Sequence, residues 1–276
     1  MMARTLWRSL RVIEHLCTGV LIVVYIRFFA RLGRPPDWVP QVVCWWYRRL
    51  CRALGVRLRV TGQVAPGCLL VSNHVSWLDV PVIGAQHEIG FLSKSEVKGW
   101  PVIGWIAEIV GTHFIERGAH QVSRVSSSII ADVLQGRPVV IFPEGTTSDG
   151  CRVGHFHPRL FSIAQGTGIG IQPVAIGYRH GDSVIPDTRA PYIGDDILIA
   201  SLWRIICHPD LVVHLAFLPP LPIAKEVTRR TLADDSRLAI RAALGLAPDQ
   251  NGAYLSKRLT GAIHSGQSAF ADAHPG

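Results

Sequence analysis

Along the chain, short apolar runs alternate with longer, more polar stretches. The runs near residues 57 to 61, 68 to 72, 90 to 93, 111 to 115, 138 to 142, 171 to 177 and 211 to 217 read as strands, those ending at 72 and 142 being of the buried type. Helices are expected at 77 to 86, 119 to 135, 156 to 165 and 225 to 244, the last one polar. The alternation predicts an α/β fold: a mixed, mainly parallel sheet flanked by helices, with the site at the strand ends. Pro173 suggests that its strand either lies at a sheet edge or has the proline at its entry.

The first 54 residues follow a different pattern. Leu16 to Ile26 is apolar and continues past Arg27 with Phe28, Phe29 and Leu32. Pro35-Pro36-Asp37 then breaks the helix, and a second helix carries Trp38, Trp45, Trp46 and Tyr47. A spanning helix needs about 20 mainly apolar residues, so the first run is short and interrupted. No small-x-small cleavage site follows it, as a signal peptide would require. Indole and phenol rings favour the headgroup level, and arginines can snorkel toward phosphates. The pair is therefore expected as a membrane-interfacial helical hairpin, ahead of a single span or a signal peptide; for the second helix a core-covering role stays open. The domain division that follows is 1–54 for membrane-associating helices, 55–246 for the α/β domain, and 247–276 for a flexible tail with little apolar periodicity.

Charge strengthens the membrane reading. The 276 residues carry a net charge of +8, and charged residues make up only 17%. Within the first 60 residues, eleven arginines face only Glu14 and Asp37. That balance suits an anionic membrane surface, and no zinc-finger, helix-turn-helix or other readout motif points to nucleic acid. The six cysteines, at 17, 44, 51, 68, 151 and 207, have neither C-x-x-C nor metal-ligand spacing, which argues against a metal or a disulfide framework and for a reducing, cytoplasmic location. Gly166-Thr167-Gly168-Ile169-Gly170 leads into a strand and lacks the strand-turn-helix setting of a dinucleotide loop.

Four stretches carry candidate chemistry. In Ser72-Asn73-His74-Val75-Ser76-Trp77-Leu78-Asp79, a histidine stands at a strand-to-helix corner with a carboxylate five residues on. A neutral imidazole can take a proton from an attacking alcohol, and a carboxylate at its other nitrogen fixes the tautomer and stabilises the imidazolium. A capping residue beside an unrelated surface Asp would fit the same residues. Phe142-Pro143-Glu144-Gly145-Thr146 follows a buried-type strand, where Glu144 can accept hydrogen bonds from a polyol and Gly145 admits backbone amides to an anion; an ordinary turn is the alternative. Gly111-Thr112-His113-Phe114-Ile115-Glu116-Arg117 delivers an arginine to a strand end, suited to a phosphate or carboxylate but also common as a solvated charge. Gln172-Pro173-Val174-Ala175-Ile176 says little about chemistry by itself.

In this order the four stretches resemble the motif blocks of the glycerolipid acyltransferases, whose best-known members are the 1-acylglycerol-3-phosphate (lysophosphatidic acid) acyltransferases. The resemblance covers roughly residues 55 to 220. It implies transfer of a fatty acyl group from acyl-CoA or acyl carrier protein, as donor substrate and without a cofactor or metal, to a lysolipid hydroxyl, with no covalent enzyme intermediate. His74 would be the general base and Asp79 its orienting partner. Arg117 would hold the acceptor's phosphate, Glu144, Gly145 and Thr146 would position the acceptor, and Lys94 would bind an anion. The expected acceptor is 1-acylglycerol-3-phosphate, giving phosphatidate, and the expected place is the cytoplasmic face of the membrane.

One departure bears on that acceptor. Many phosphatidate-forming members carry Arg after the Phe-Pro-Glu-Gly-Thr block, whereas this chain has Thr147-Ser148-Asp149-Gly150. Losing a charge-assisted contact of about 1.5 to 3 kcal/mol can shift preference from a phosphomonoester toward another lysolipid. The form is similar to that of relatives acting on lyso-ornithine lipid or on lysophospholipids with substituted headgroups. Two readings from other classes are a lipid hydrolase, for which no G-x-S-x-G elbow is present, and a non-catalytic membrane-surface binding protein.

Overall fold

The computed structural model describes residues 2–31, 38–99, 104, 107–108, 111–115, 121–222 and 227–246. The first half contains helices α1 (Met2–Arg31) and α2 (Val39–Leu54), strands β1 (Val56–Thr61) and β2 (Cys68–Ser72), the short helix α3 (Asp79–Gly84), and strands β3 (Gly90–Lys94) and β4 (His113–Ile115). The second half contains α4 (Gln121–Leu134), β5 (Val139–Ile141), a 3₁₀ helix (Pro158–Ile163), β6 (Gly170–His180), α5 (Leu198–Cys207), β7 (Leu211–Phe217) and α6 (Arg229–Ala243).

All seven strands join one sheet in the order β1-β7-β6-β2-β5-β3-β4. Among the described strands β6 and β7 pair antiparallel and the other strand pairs are parallel, as expected for a mixed, mainly parallel sheet. Successive residues of β2 serve two cores, because side chains alternate along a strand. Leu70 joins one core with Leu54, Ile83 and Ile205, and Leu69 and Val71 join the other with Ile129, Phe161 and Ile240. Helices α2, α3 and α5 thus cover one face, and α4, α6 and the 3₁₀ helix cover the other. Burial on both faces is why Cys68-Leu69-Leu70-Val71 is a continuous apolar run.

Three expectations change. The segment expected as a helix at 156 to 165 is a 3₁₀ helix, entered at Pro158 and followed by Gly166 and Gly168, both at positive φ. The strand containing Pro173 is central, between β7 and β2. The proline is tolerated because the antiparallel ladder with β7 begins one residue later, at Val174, so Pro173 stands at the entry to that pairing. Helix α5 is an addition to the expected elements; it buries Ser201, Ile205 and Ile206 and leaves Ile199 and Trp203 exposed.

The apolar run expected from Leu16 belongs to a helix that starts at Met2 and has 30 residues, about 45 Å of rise. It is long and apolar enough to cross a membrane by length and composition. It is also fastened to the domain near both ends. Arg4 donates to the Pro209 carbonyl, Arg8 to the Ile206 and His208 carbonyls, and Arg27 pairs with Glu108 at 2.9 Å. Between them, His15 stacks on Trp46 of α2, with ring centroids 4.1 Å apart. The side turned away carries Met2, Leu6, Leu10, Ile13, Val20, Val24 and Phe28, all exposed and recurring at one- or two-turn intervals. Residues 247–276 lie outside the described residues.

Candidate active site

Strand β2 delivers the site. Immediately past its end, the Asn73 side chain donates to the Ile176 carbonyl and accepts the Ile176 N–H, both at 2.9 Å, which pins the corner to β6. His74 follows. Its N–H donates to Glu144 Oε1 at 2.8 Å, and its carbonyl accepts from the Ser148 N–H at 2.8 Å. Its ring stacks on Phe142, with centroids 4.1 Å apart and planes 20° from parallel. The backbone and the ring of His74 are therefore both held by the loop that follows β5.

His74 Nδ1 lies 2.7 Å from Asp79 Oδ2, in a pair where the imidazole is 21% exposed and the carboxylate 0%. The same oxygen accepts the Val75 N–H at 2.7 Å and the Ser76 N–H at 3.0 Å. The other, Oδ1, accepts the Tyr178 hydroxyl at 2.5 Å. The bend at the start of α3 supplies the closure that helical spacing alone would not give. An ionised carboxylate only accepts, so the proton sits on Nδ1 and Nε2 keeps its lone pair. That is the tautomer a general base needs.

Glu144 is buried, and both of its oxygens are engaged by backbone: Oε1 by His74 and Oε2 by the Gly154 N–H, each at 2.8 Å. Burial pushes its carboxyl pKa up, opposed by those two hydrogen bonds and by the nearby imidazole. A Cβ at Gly154 would stand 2.6 Å from Glu144 Oε2, so a side chain there would push the carboxylate off the Gly154 N–H. Arg237 of α6 in turn donates to the Gly154 carbonyl at 2.6 Å. Gly145 has φ +69° and is exposed, as is Thr146. The Thr147 hydroxyl donates to the Tyr192 carbonyl, and the Tyr192 N–H donates to the Val75 carbonyl at 3.0 Å.

Lys94 is exposed at the end of β3, in register with Ile115, the last residue of β4. It therefore shares the carboxyl edge of the parallel strands with His74 and Glu144. Arg117 lies outside the described residues. His74, Asp79, Glu144, Gly145, Thr146 and Thr147 meet around one corner. Asn73, Tyr178 and Gly154 support that corner; of the three, Asn73 stands in a stretch the sequence singles out, while nothing in residue type marks Tyr178 or Gly154.

The cysteines are free thiols; burial raises the Cys51 pKa to about 12 and also raises that of Cys44. Among the described residues, His180, Asp187 and His208 place candidate metal-ligand atoms within 4.8 Å of one another. His208 already uses both nitrogens, Nε2 with Asp187 at 2.8 Å and Nδ1 accepting the Asp210 N–H at 3.1 Å. The trio reads as a satisfied structural pair beside an exposed histidine.

The acyltransferase family profile matches residues 57–177, which include β1, β2, the His74 corner, the Glu144 loop and most of β6. The chain is 39% identical over 245 residues to a lyso-ornithine lipid O-acyltransferase of Pseudomonas aeruginosa, covering 87% of this chain and 93% of that one. It is 32% identical over 200 residues to a 1-acyl-sn-glycerol-3-phosphate acyltransferase of Neisseria meningitidis, covering 71% and 77%. The fold matches the crystal structure of the 1-acyl-sn-glycerophosphate acyltransferase PlsC of Thermotoga maritima, with a TM-score of 0.63, 19% identity, and coverage of 88% and 94%. At that identity the structural match speaks for the fold alone. Matched along nearly the full length of a curated relative, this chain belongs to the acyltransferase family of enzymes.

Proposed function

We propose that this enzyme transfers a fatty acyl group from a thioester donor, acyl-CoA or acyl carrier protein, to the free hydroxyl of lyso-ornithine lipid. The observation that carries the chemistry is the 2.7 Å contact of His74 Nδ1 with the buried Asp79 carboxylate. His74 Nε2 takes the acceptor's hydroxyl proton as its oxygen attacks the thioester carbonyl. A C–O bond forms, the tetrahedral intermediate collapses with loss of the C–S bond, and the proton passes from the imidazolium to the departing thiolate sulfur. Asp79 stabilises the imidazolium between the two steps. Glu144 acts by holding the His74 backbone, while Gly145 and Thr146, exposed on the same loop, offer contacts to the acceptor.

The acceptor assignment rests on two supports. One is the relative of Pseudomonas aeruginosa, similar along almost its full length. The other is Thr147, whose hydroxyl is spent on the Tyr192 carbonyl and brings no cation to an acceptor phosphate. An ornithine headgroup carries no phosphomonoester to neutralise. The reading expected first from the sequence, 1-acylglycerol-3-phosphate, keeps the support of the Neisseria meningitidis relative and of Lys94 at the same sheet edge. Arg117 would serve it as a second cation.

The exposed apolar stripe of α1, on a helix that Arg4, Arg8 and Arg27 hold along the domain, supports a helix lying in the interface of an anionic membrane. With the cytoplasmic thioesters proposed as donors, the reading puts the work at the cytoplasmic leaflet. Purified enzyme offered lyso-ornithine lipid, lysophosphatidate and other lysophospholipids, with each donor in turn, tests the assignment. Highest kcat/KM with lyso-ornithine lipid is expected; highest with lysophosphatidate would return the acceptor to the phosphate class.

A further inference from the structure

We propose that Tyr178 is a positioning residue for the acyl-transfer base, acting through Asp79: its hydroxyl sets how strongly Asp79 holds the His74 imidazolium. The inference rests on His74 being the base. Asp79 Oδ2 is shared by His74 Nδ1 and the Val75 and Ser76 N–H groups, whereas the Tyr178 hydroxyl is the donor to Oδ1. Tyr178 stands on β6 two residues beyond Ile176, the residue clamped to Asn73, so the phenol is aimed by the same corner that carries the base. Its ring lies in the core between sheet and helices with Ile83 and Leu54, where Phe would pack equally well. The hydroxyl is what the site adds.

A donor on Oδ1 draws charge from the carboxylate and competes with the imidazolium for it. Among the described residues, the ionisable groups around Asp79 are His74, Tyr178, Glu144 and, beyond the phenol, Cys51. Burial and the Asp79 charge push the phenol's own ionisation well above 10, and burial raises Cys51 to about 12, so neither carries charge beside Asp79 at neutral pH. Glu144 spends both oxygens on backbone N–H groups. Removing the Tyr178 hydroxyl therefore leaves Asp79 a stronger partner for the imidazolium, and His74 becomes available as a base only at higher pH.

The test is the pH profile of kcat/KM in purified enzyme. Tyr178→Phe should move the acid limb up by about half to one pH unit, which is a loss of roughly 3- to 10-fold at a pH below the limb. Site-specific 3-fluorotyrosine at position 178, a stronger donor of nearly the same size, should move the limb the other way, and this arm decides the matter even where Tyr178→Phe does not fold. A limb that stays put in the folded variants while His74→Ala is inactive overturns the role of Tyr178 and leaves the base intact. Near-wild-type transfer by His74→Ala overturns both.

Discussion

Glu144 accepts the backbone N–H of His74 at 2.8 Å, so a carboxylate 70 residues along the chain fixes the position of the imidazole. Its second oxygen is bound by Gly154, whose own carbonyl is held by Arg237. The loop after β5 thus carries a brace for the proposed base as well as residues exposed beside it. Replacing Glu144 by Gln puts an NH₂ against one of two backbone N–H groups, leaving it unpaired at a cost of about 1 to 3 kcal/mol. Steady-state kinetics of Glu144→Gln should show kcat reduced roughly 10- to 100-fold with a smaller change in KM. A change confined to KM would make Glu144 a substrate-binding group instead.

The same carboxyl gives a stability signature. Burial raises its pKa in the folded protein, so the folded state binds this proton more tightly than the unfolded chain does. The stability this contributes is present below the ordinary value of 4.5 and is lost as pH rises through the raised folded value. Gln does not titrate. The melting temperature of wild type relative to Glu144→Gln should therefore fall as pH rises from 4.5 through that window, as thermal scans at stepped pH would record. A gap that widens with pH contradicts it.

Asn73 closes the corner from the other side with two buried hydrogen bonds to Ile176. Asn73→Ala leaves a buried N–H and a buried carbonyl without partners, which costs about 2 to 5 kcal/mol. Chemical denaturation should show that loss as a lower midpoint at unchanged slope. Full stability in the variant would mean that water replaces both bonds.

Position 147 tests the acceptor. Thr147→Arg removes the bond to the Tyr192 carbonyl and brings a cation to the loop. The ratio of kcat/KM for lysophosphatidate over lyso-ornithine lipid should rise by roughly 10- to 100-fold, the worth of one charge-assisted contact. An unchanged ratio would separate position 147 from the headgroup.

For the membrane, the exposed stripe of α1 makes the prediction. Leu10→Glu with Ile13→Glu, both on that stripe, should abolish sedimentation with anionic vesicles while transfer to detergent-dispersed acceptor stays within about threefold. Wild type should be released from membranes by alkaline carbonate. Retention after that wash would establish a spanning helix.

What is legible in the sequence follows from where its pattern is written. Strands buried on both faces are continuous apolar runs, so β2 and β5 are readable, β7 is apolar except at the exposed His214, and the His74 to Asp79 spacing suggests a pair that the fold closes to 2.7 Å. The order of the strands is not readable, because the insertion of β7 between β1 and β6 depends on which faces pack after the chain has crossed over. Glu144 stands out in the sequence for another reason than the one the fold reveals. A Pro-Glu-Gly turn suggests a contact to ligand, whereas a bond to a distant backbone N–H leaves no mark in residue type. Tyr178 is hidden for the same reason, being one aromatic among the apolar residues of β6. Helix α1 reads too short because Arg4, Arg8 and Arg11 interrupt it, although Arg4 and Arg8 tie it to the domain.

The central claim is that His74 is the base for acyl transfer. Purified His74→Ala, shown by circular dichroism and vesicle sedimentation to be folded and membrane-bound, should transfer acyl groups about 10² to 10⁴ times more slowly than wild type at saturating donor and acceptor. Transfer within a few-fold of wild type by that folded variant would contradict the account.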